Sequence, residues 1–172
     1  MKRTVLLAAC LAMTFGIVAR GATLQITSTA FGANGAIPSK YTCDGAGANP
    51  PLAFSGIPAK TESLVLIMDD PDVPKNLMPS GVFDHWLMWD LPATSTGFAE
   101  GAPEAKTGLN GMGQPGYVGP CPPDREHRYF FKLYALDSKL TGVKIANKQD
   151  LEAAMKGHIL EQADLMGRYA RK

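Results

Sequence analysis

Residues 64–86 read LVLIMDDPDVPKNLMPSGVFDHW. Five consecutive apolar residues, Leu64 to Met68, bounded by turn-forming residues, predict a short strand buried on both faces. Pro71 and Pro74 lack the N–H a ladder needs, and Pro71 biases Asp70 toward extended geometry, so Asp69, Asp70 and Asp72 are predicted in a loop at the strand's end. Asp-Pro pairs ordinarily do no more than terminate strands. Here two spaced carboxylates, Asp70 and Asp72, precede a His85-Trp86 pair on the next apolar run, and that combination points to a site at the lip of the core.

Outward from this stretch, Val82 to Leu91 (VFDHWLMWDL) forms a second core strand, whose alternation predicts Phe83, His85, Leu87 and Trp89 on one face. The clearest strand runs from His127 to Asp137 (HRYFFKLYALD), with His127, Tyr129, Phe131, Leu133 and Ala135 facing one way and Arg128, Phe130, Lys132, Tyr134 and Leu136 the other. Its first face starts polar and becomes apolar, as a strand lining a pocket at one end and core at the other would. A single His at a strand start is usually a surface residue; His127 with Tyr129 on the same face argues for convergent donors. Between these strands, residues 94–120 are rich in glycine, and so long a connection in a small domain is usually functional or a lid. In Gly119-Pro120-Cys121-Pro122-Pro123 only Gly119 and Cys121 keep an N–H, which makes them the loop's available anion donors, although such a segment can also serve merely to stiffen a crossing.

Shorter signals complete the chain. Thr23 to Thr27 reads as an edge strand, residues 40–51 as irregular, and Leu52 to Phe54 as a short strand. Asn147 caps a helix with Asp150 three residues on and a stripe of Leu151, Ala154, Met155, His158 and Ile159, where His158 reads as structural. Gly167 to Ala170 reads as a short final strand. The 172 residues, 45% hydrophobic and 19% charged, fit one globular domain, and 18 Gly with 13 Pro between short apolar runs favour a turn-rich β architecture.

The N-terminus reads as a secretory leader. Lys2-Arg3 precede an apolar stretch, Val5 to Val18, followed by small residues at 19–22, which places the signal peptide at 1–22 and the domain at 23–172. A lipoprotein-type Cys10 lies too early in the chain. Removing Lys2, Arg3 and Arg20 from the 17 basic residues leaves 14 against 16 acidic ones, a net charge of about −2 that argues against nucleic acid and anionic membrane surfaces as partners. Of three cysteines, Cys43 and Cys121 remain, either as a disulfide in an oxidising compartment or as two buried thiols. No second apolar span follows, so the mature protein is expected in the periplasm or secreted.

Asp70-Pro71-Asp72-Val73-Pro74, His85-Trp86, Tyr117 to Pro123 and His127-Arg128-Tyr129 occur in the order and approximate spacing of the phosphatidylethanolamine-binding protein family. The opening YTCDG at 41–45, the GPCPP loop and LYALD at 133–137 resemble its bacterial, Raf kinase inhibitor-like branch. The resemblance covers the whole mature chain. It implies a mostly β fold, an antiparallel β-sandwich with a few flanking helices in a single domain, and a small anion pocket built from Asp70, Asp72, His85, Cys121, Pro122, His127 and Tyr129. It also implies a binding protein without catalytic residues, metal or cofactor. Its ligand would be a small phosphate-bearing molecule or lipid head group, and a protein target and a homodimer stay open.

The chemistry of that set is consistent with a zwitterionic head group. Imidazole, phenol and amide donors suit phosphate, while Asp70 and Asp72 suit an ammonium and would raise the histidine pKa toward the charged donor. The segment 124–126 is shorter than in animal members, and the chain ends three residues after Tyr169, so a more open pocket is expected. Two alternatives stand beside this reading. Two Asp and two His could serve a metal- or acid/base-dependent phosphate-ester hydrolase, but no HExxH, GxSxG or Gly-rich phosphate loop is present and no nucleophile is evident. An inhibitor acting on a kinase or protease through its surface rests on the family analogy alone.

Overall fold

A computed structural model of the chain describes residues 23–102 and 107–171; the leader read from 1–22 lies outside the described residues. Eight strands are present: β1 (Gln25–Thr27), β2 (Gly35–Ala36), β3 (Leu52–Ser55), β4 (Ser63–Asp70), β5 (Phe83–Pro92), β6 (Gly97–Phe98), β7 (His127–Leu136) and β8 (Ile159–Tyr169). One α-helix, α1 (Lys148–Met155), and a single 3-10 turn at Ser39–Tyr41 complete the described elements. They form two sheets, a three-stranded β1-β3-β6 and a five-stranded β2-β8-β7-β4-β5, antiparallel except for the short β2-β8 pairing.

The two sheets close on a core that includes Ile26, Phe54, Leu66, Trp86, Phe131 and Leu133. A second apolar layer, Val65, Ile67, Leu87, Leu136, Leu151 and Met155, lies between the large sheet and α1. Both faces of the five-stranded sheet are therefore covered. This accounts for the uninterrupted Leu64–Met68 run: alternate residues serve different cores, and all eight residues of β4 are buried.

The acidic pair departs from the expected loop. Asp69 and Asp70 are still in β4, opposite Asp84 and Phe83 of β5, and the chain turns at Pro71. A strand end can bury two carboxylates here because each has cationic or N–H partners waiting on its own face. The alternation expected for β5 also breaks. Between the pairs Met68–Trp86 and Asp69–Asp84, β5 contains one extra residue, His85, so the register slips by a β-bulge. Trp86 and Met88 then enter the inter-sheet core while Leu87 and Trp89 face α1, and His85 no longer shares a face with Leu87.

The C-terminal segment differs most from expectation. Helix α1 is capped as read, Asn147 Oδ1 accepting from the Asp150 amide at 3.0 Å, but it ends at Met155. Gly157 follows at φ 86°, a left-handed conformation that favours glycine, and His158 and Ile159 leave the helix. His158 pairs with Asp137 at the surface, a structural contact as expected. The final strand is not a four-residue stub: β8 pairs with β7 along its length, from Ile159–Leu136 to Tyr169–His127. Within 94–120, β6 and isolated bridges at Thr107 and Leu109 tie parts of the long connection down.

Candidate functional site

At the end of β4 where the chain leaves Asp70, a cavity of about 400 Å³ opens between the 71–81 connection and the 109–123 loop. Its ionisable residues are Asp70 and His85, Gly119 and Cys121 also line it, and Val73, Leu77, Met78, Phe83 and Met112 provide most of the remaining wall. Leu77 and Met112 are largely exposed and stand at its rim.

The 117–123 loop is fastened to residues 41–43 by several contacts. Tyr117 Oη donates to Tyr41 O at 2.8 Å, the Cys43 amide donates to Pro120 O at 3.1 Å, and Cys43 and Cys121 are joined by a disulfide spanning 78 residues. The open question of the two cysteines resolves as this bridge. A Cβ on residue 119 would come within 2.8 Å of Tyr41 O and 2.9 Å of Thr42 Cα, so glycine is needed for the close approach. Among the described residues, no partner takes the amides of Gly119 and Cys121.

His85 is held by a two-way contact with Val118. Its Nδ1 lies 2.7 Å from Val118 O, and the Val118 amide donates to His85 O at 3.0 Å. A carbonyl only accepts, so Nδ1 carries the proton and a neutral ring has its lone pair on Nε2. Burial lowers the pKa of His85 and outweighs the Val118 hydrogen bond and the charges of Asp70 and Asp69, which act to raise it. The expected elevation by neighbouring carboxylates is therefore reversed at His85, because a ring 4% exposed loses more hydration than those carboxylates return.

Behind His85 lie Tyr129 and His127. The Tyr129 ring meets His85 edge-on at 5.3 Å, and His127 stacks on Tyr129 at 6.5 Å. The Tyr129 hydroxyl is buried and makes no well-aligned hydrogen bond. Asp70 stands close enough that, after burial, its charge and a weak hydrogen-bonding approach to the hydroxyl push the phenol pKa further up, and the geometry, which leaves the hydroxyl unsatisfied, decides between the two. His127 is sealed from solvent, with Nδ1 2.7 Å from Asp70 Oδ2 and Nε2 2.8 Å from Asp124 Oδ1. A neutral ring could donate to only one of these carboxylates.

The two aspartates read as ammonium acceptors are both engaged. Asp70 Oδ1 accepts from the Asp72 amide at 2.8 Å while Oδ2 faces His127. Asp72 is gripped by Arg128, Nε to Oδ2 at 2.8 Å and Nη2 to Oδ1 at 2.7 Å, with the Arg128 amide as a third donor. That fork holds the Asp72 carboxyl down at about 2. Asp70, His85 and Cys121 thus line the cavity and His127 and Tyr129 back it, whereas Asp72 is drawn aside by Arg128 and Pro122 borders a separate cavity. Val118 and Asp124 escaped sequence reading. The first acts through its main chain and leaves no side-chain signal, while the second is visible only as an acid three residues before His127. Among the described residues, no three His, Cys, Asp or Glu side chains converge as metal ligands.

Comparison with known proteins identifies the family and the fold. The family model for phosphatidylethanolamine-binding protein matches residues 27–170. A UPF0098 protein of Chlamydia pneumoniae is 49% identical over 149 residues, covering 86% of this chain and 99% of its own, and one from Methanothermobacter thermautotrophicus is 45% identical over 155 residues with the same coverages. Among solved structures, a Chlamydia trachomatis homologue of phosphatidylethanolamine-binding protein superposes with a TM-score of 0.85 at 45% identity, covering 88% of this chain and 99% of that one. Escherichia coli YbcL, a member of the mammalian family by its description, superposes with a TM-score of 0.76 at 25% identity over 88% of this chain and 100% of its own. The motifs at 70–74, 85–86, 117–123 and 127–129, the sandwich that gathers them and these matches lead to one conclusion: the chain belongs to the phosphatidylethanolamine-binding protein family.

Proposed function

We propose that this protein is a non-enzymatic, exported binding protein that takes a phosphate-type head group in the cavity between Asp70, His85 and Cys121. The observation that carries the reading is the buried Tyr129 hydroxyl without a partner, set beside two residues that line the cavity, His85 and Asp70. An unmatched buried donor costs about 1 to 3 kcal/mol, a cost that a bound acceptor would remove. The amides of Gly119 and Cys121, two residues that line the cavity, have no protein partner among the described residues and add two donors. An apolar substituent on the phosphate would pack on Leu77, Met78, Phe83 and Met112. The Cys43–Cys121 bridge supports an oxidising compartment, in keeping with the leader at 1–22.

The protonation of His85 sharpens the ligand class. With Nδ1–H committed to Val118, Nε2 meets a phosphate either as an acceptor from a monoprotonated phosphate or as a donor after taking up a proton. Both routes place one proton between ring and phosphate. For a phosphate monoester such as phosphoethanolamine, which loses its last proton at the second ionisation, affinity therefore falls as pH rises through about 6. Because both carboxylates beside the cavity already have partners, an ammonium gains less than the residue types suggested, and inorganic phosphate and phosphoethanolamine should bind within a few-fold of each other.

Calorimetric titration with both compounds across pH tests the reading. His85→Ala should weaken binding roughly ten- to hundredfold, corresponding to about 1.5 to 3 kcal/mol for a hydrogen bond to a charged group. Equal affinity in wild type and His85→Ala would remove the assignment. Turnover of a phosphate ester that disappears on chelation would establish the hydrolase instead, and N-terminal sequencing of exported protein should find a start near Ala22 or Thr23.

A further inference from the structure

On the far side of Pro122-Pro123 lies a second cavity, about 410 Å³, lined by Pro122, Pro123, Asp124, Arg125, Ala170 and Arg171. Pro123 borders both cavities. Four arginines surround this end of the β7–β8 pair. Arg128 is matched by Asp72, Arg168 by Glu126 and Arg171 by Asp44. The Arg125 guanidinium has only main-chain carbonyls, Glu126 O at 3.2 Å and Asp72 O at 3.5 Å, and among the described residues no carboxylate.

Beneath the same cavity the sealed His127 ring aims Nε2 at Asp124 Oδ1, its other nitrogen being held by Asp70. Both ring nitrogens face carboxylates, so satisfying both requires both protons and a positive ring. Asp124 is nearly half exposed, and its Oδ1 takes a second donor, the Arg125 amide at 2.9 Å. One surface carboxylate thus covers the buried His127 ring at a cavity walled by two arginines, one of them with no carboxylate hydrogen-bonded to its guanidinium. Guanidinium forks recognise oxyanions bidentately, which fits a phosphate or carboxylate group.

We propose that this second cavity is an oxyanion site, in which the anionic group of a small ligand engages the Arg125 fork, with Arg171 flanking, and replaces Asp124 at His127 Nε2. The two cavities are separate sites joined through the Asp70–His127–Asp124 bridge, since Asp70 lines the first and Asp124 the second.

The test uses the full mature chain in a His85→Ala/Tyr129→Phe background, which weakens the first cavity by two of its donors, titrated with inorganic phosphate and separately with acetate while the His127 ring resonances are followed. The Arg125 and Asp124 variants then separate this site from residual binding at the first. Saturable binding that moves His127 is expected, with phosphate alone or both probes responding according to whether the site requires a phosphoryl group. Arg125→Ala should weaken it roughly tenfold or more, with Arg125→Lys between, because a point charge lacks the fork. Asp124→Asn should tighten binding several-fold by removing the competing carboxylate. Unfolding midpoints of the Arg125 variants should match their parent, since that side chain is exposed and makes only main-chain contacts. Response to neither probe, unchanged affinity in Arg125→Ala, or binding no tighter in Asp124→Asn would overturn the proposal.

Discussion

Asp69 and Asp70 are neighbours on β4 and almost equally buried, and strand alternation sends them to opposite faces of one sheet. Asp69 Oδ2 meets the ammonium groups of Lys132, at 2.7 Å, and Lys148, and Lys148 also approaches Asp84 at 3.4 Å. This cluster ties the first turn of α1 to the sheet. Asp70 meets an imidazole and a main-chain amide at the edge of a cavity. The Asp69 side uses flexible lysines that can follow their carboxylate, and so holds a helix. Both sides leave buried oxygens without a hydrogen-bond partner, Asp69 Oδ1 and Asp84 Oδ1 on one and the Tyr129 hydroxyl on the other. The Asp70 side, however, uses rings, a disulfide and prolines that cannot follow, and so presents fixed polar groups to a cavity. The same residue type at the same burial becomes a structural tie or part of a pocket according to what faces it.

The largest effect expected from this contrast lies on the structural side. Asp69→Asn leaves Lys132 and Lys148 beneath α1 without their shared counter-charge. Removing one partner of a buried ion pair costs about 3 to 5 kcal/mol, and the partial exposure of Lys132 places this cluster at the lower end. Denaturant unfolding should show that loss, while phosphate affinity of the folded fraction stays at the wild-type value. A large loss of affinity with unchanged stability would reverse the roles of the two aspartates.

Next in size is the bridge, which the Asp69 side lacks. Replacing Cys43 and Cys121 together by Ala should cost about 2 to 4 kcal/mol, the usual worth of a disulfide. Because Cys121 lines the cavity, affinity should fall as well. The Tyr41 and Cys43 hydrogen bonds to this loop remain, so the loss should be partial. Unfolding and binding measured with and without a dithiol reductant check both expectations.

Tyr129→Phe separates the two sides more finely. The hydroxyl makes no well-aligned hydrogen bond, so its removal should leave stability unchanged or raise it by up to about 1 kcal/mol. Phosphate binding should nonetheless weaken by roughly tenfold. Most buried tyrosines would show the opposite pairing, a stability loss without a binding phenotype.

How much of this was legible in the sequence follows from the kind of signal each part leaves. Strands β4 and β7 were readable because their apolar residues repeat at the period of a two-faced strand, and His127, Tyr129, Phe131, Leu133 and Ala135 do share a face as read. The bulge at His85 was not, since an extra residue in one strand is defined only against its partner. Strand β8 was largely missed because Glu161, Gln162 and Asp164 dilute its pattern and its pairing with β7 is a tertiary fact. The residues that the motifs single out lie at one end of the sandwich, yet their partners decide what each can do. Arg128 removed Asp72 from the cavity, and Val118 set the tautomer of His85.

The smallest effect concerns acid stability at that Asp72–Arg128 fork, where the Asp70 side meets solvent. Its carboxyl is held down, first by the Arg128 side-chain hydrogen bond, from an ordinary 3.8 to about 2. A depressed folded pKa means the contribution is fully present above the unfolded value and is lost as pH falls through the folded one, so the window runs from about pH 4 down to about pH 2. The full shift corresponds to about 2.5 kcal/mol at 1.36 kcal/mol per unit, but the Arg128 side chain is half exposed and the pair is screened, so about 1 kcal/mol is expected. Stability measured between these pH values should fall by that amount more in wild type than in Arg128→Ala. Added salt should narrow the difference, because an exposed guanidinium is screened where the lysines beneath α1 are not. If Arg128→Ala instead weakens phosphate binding as strongly as His85→Ala does, Asp72 belongs to the cavity after all, and the division drawn here between engaged and available carboxylates fails on the Asp70 side.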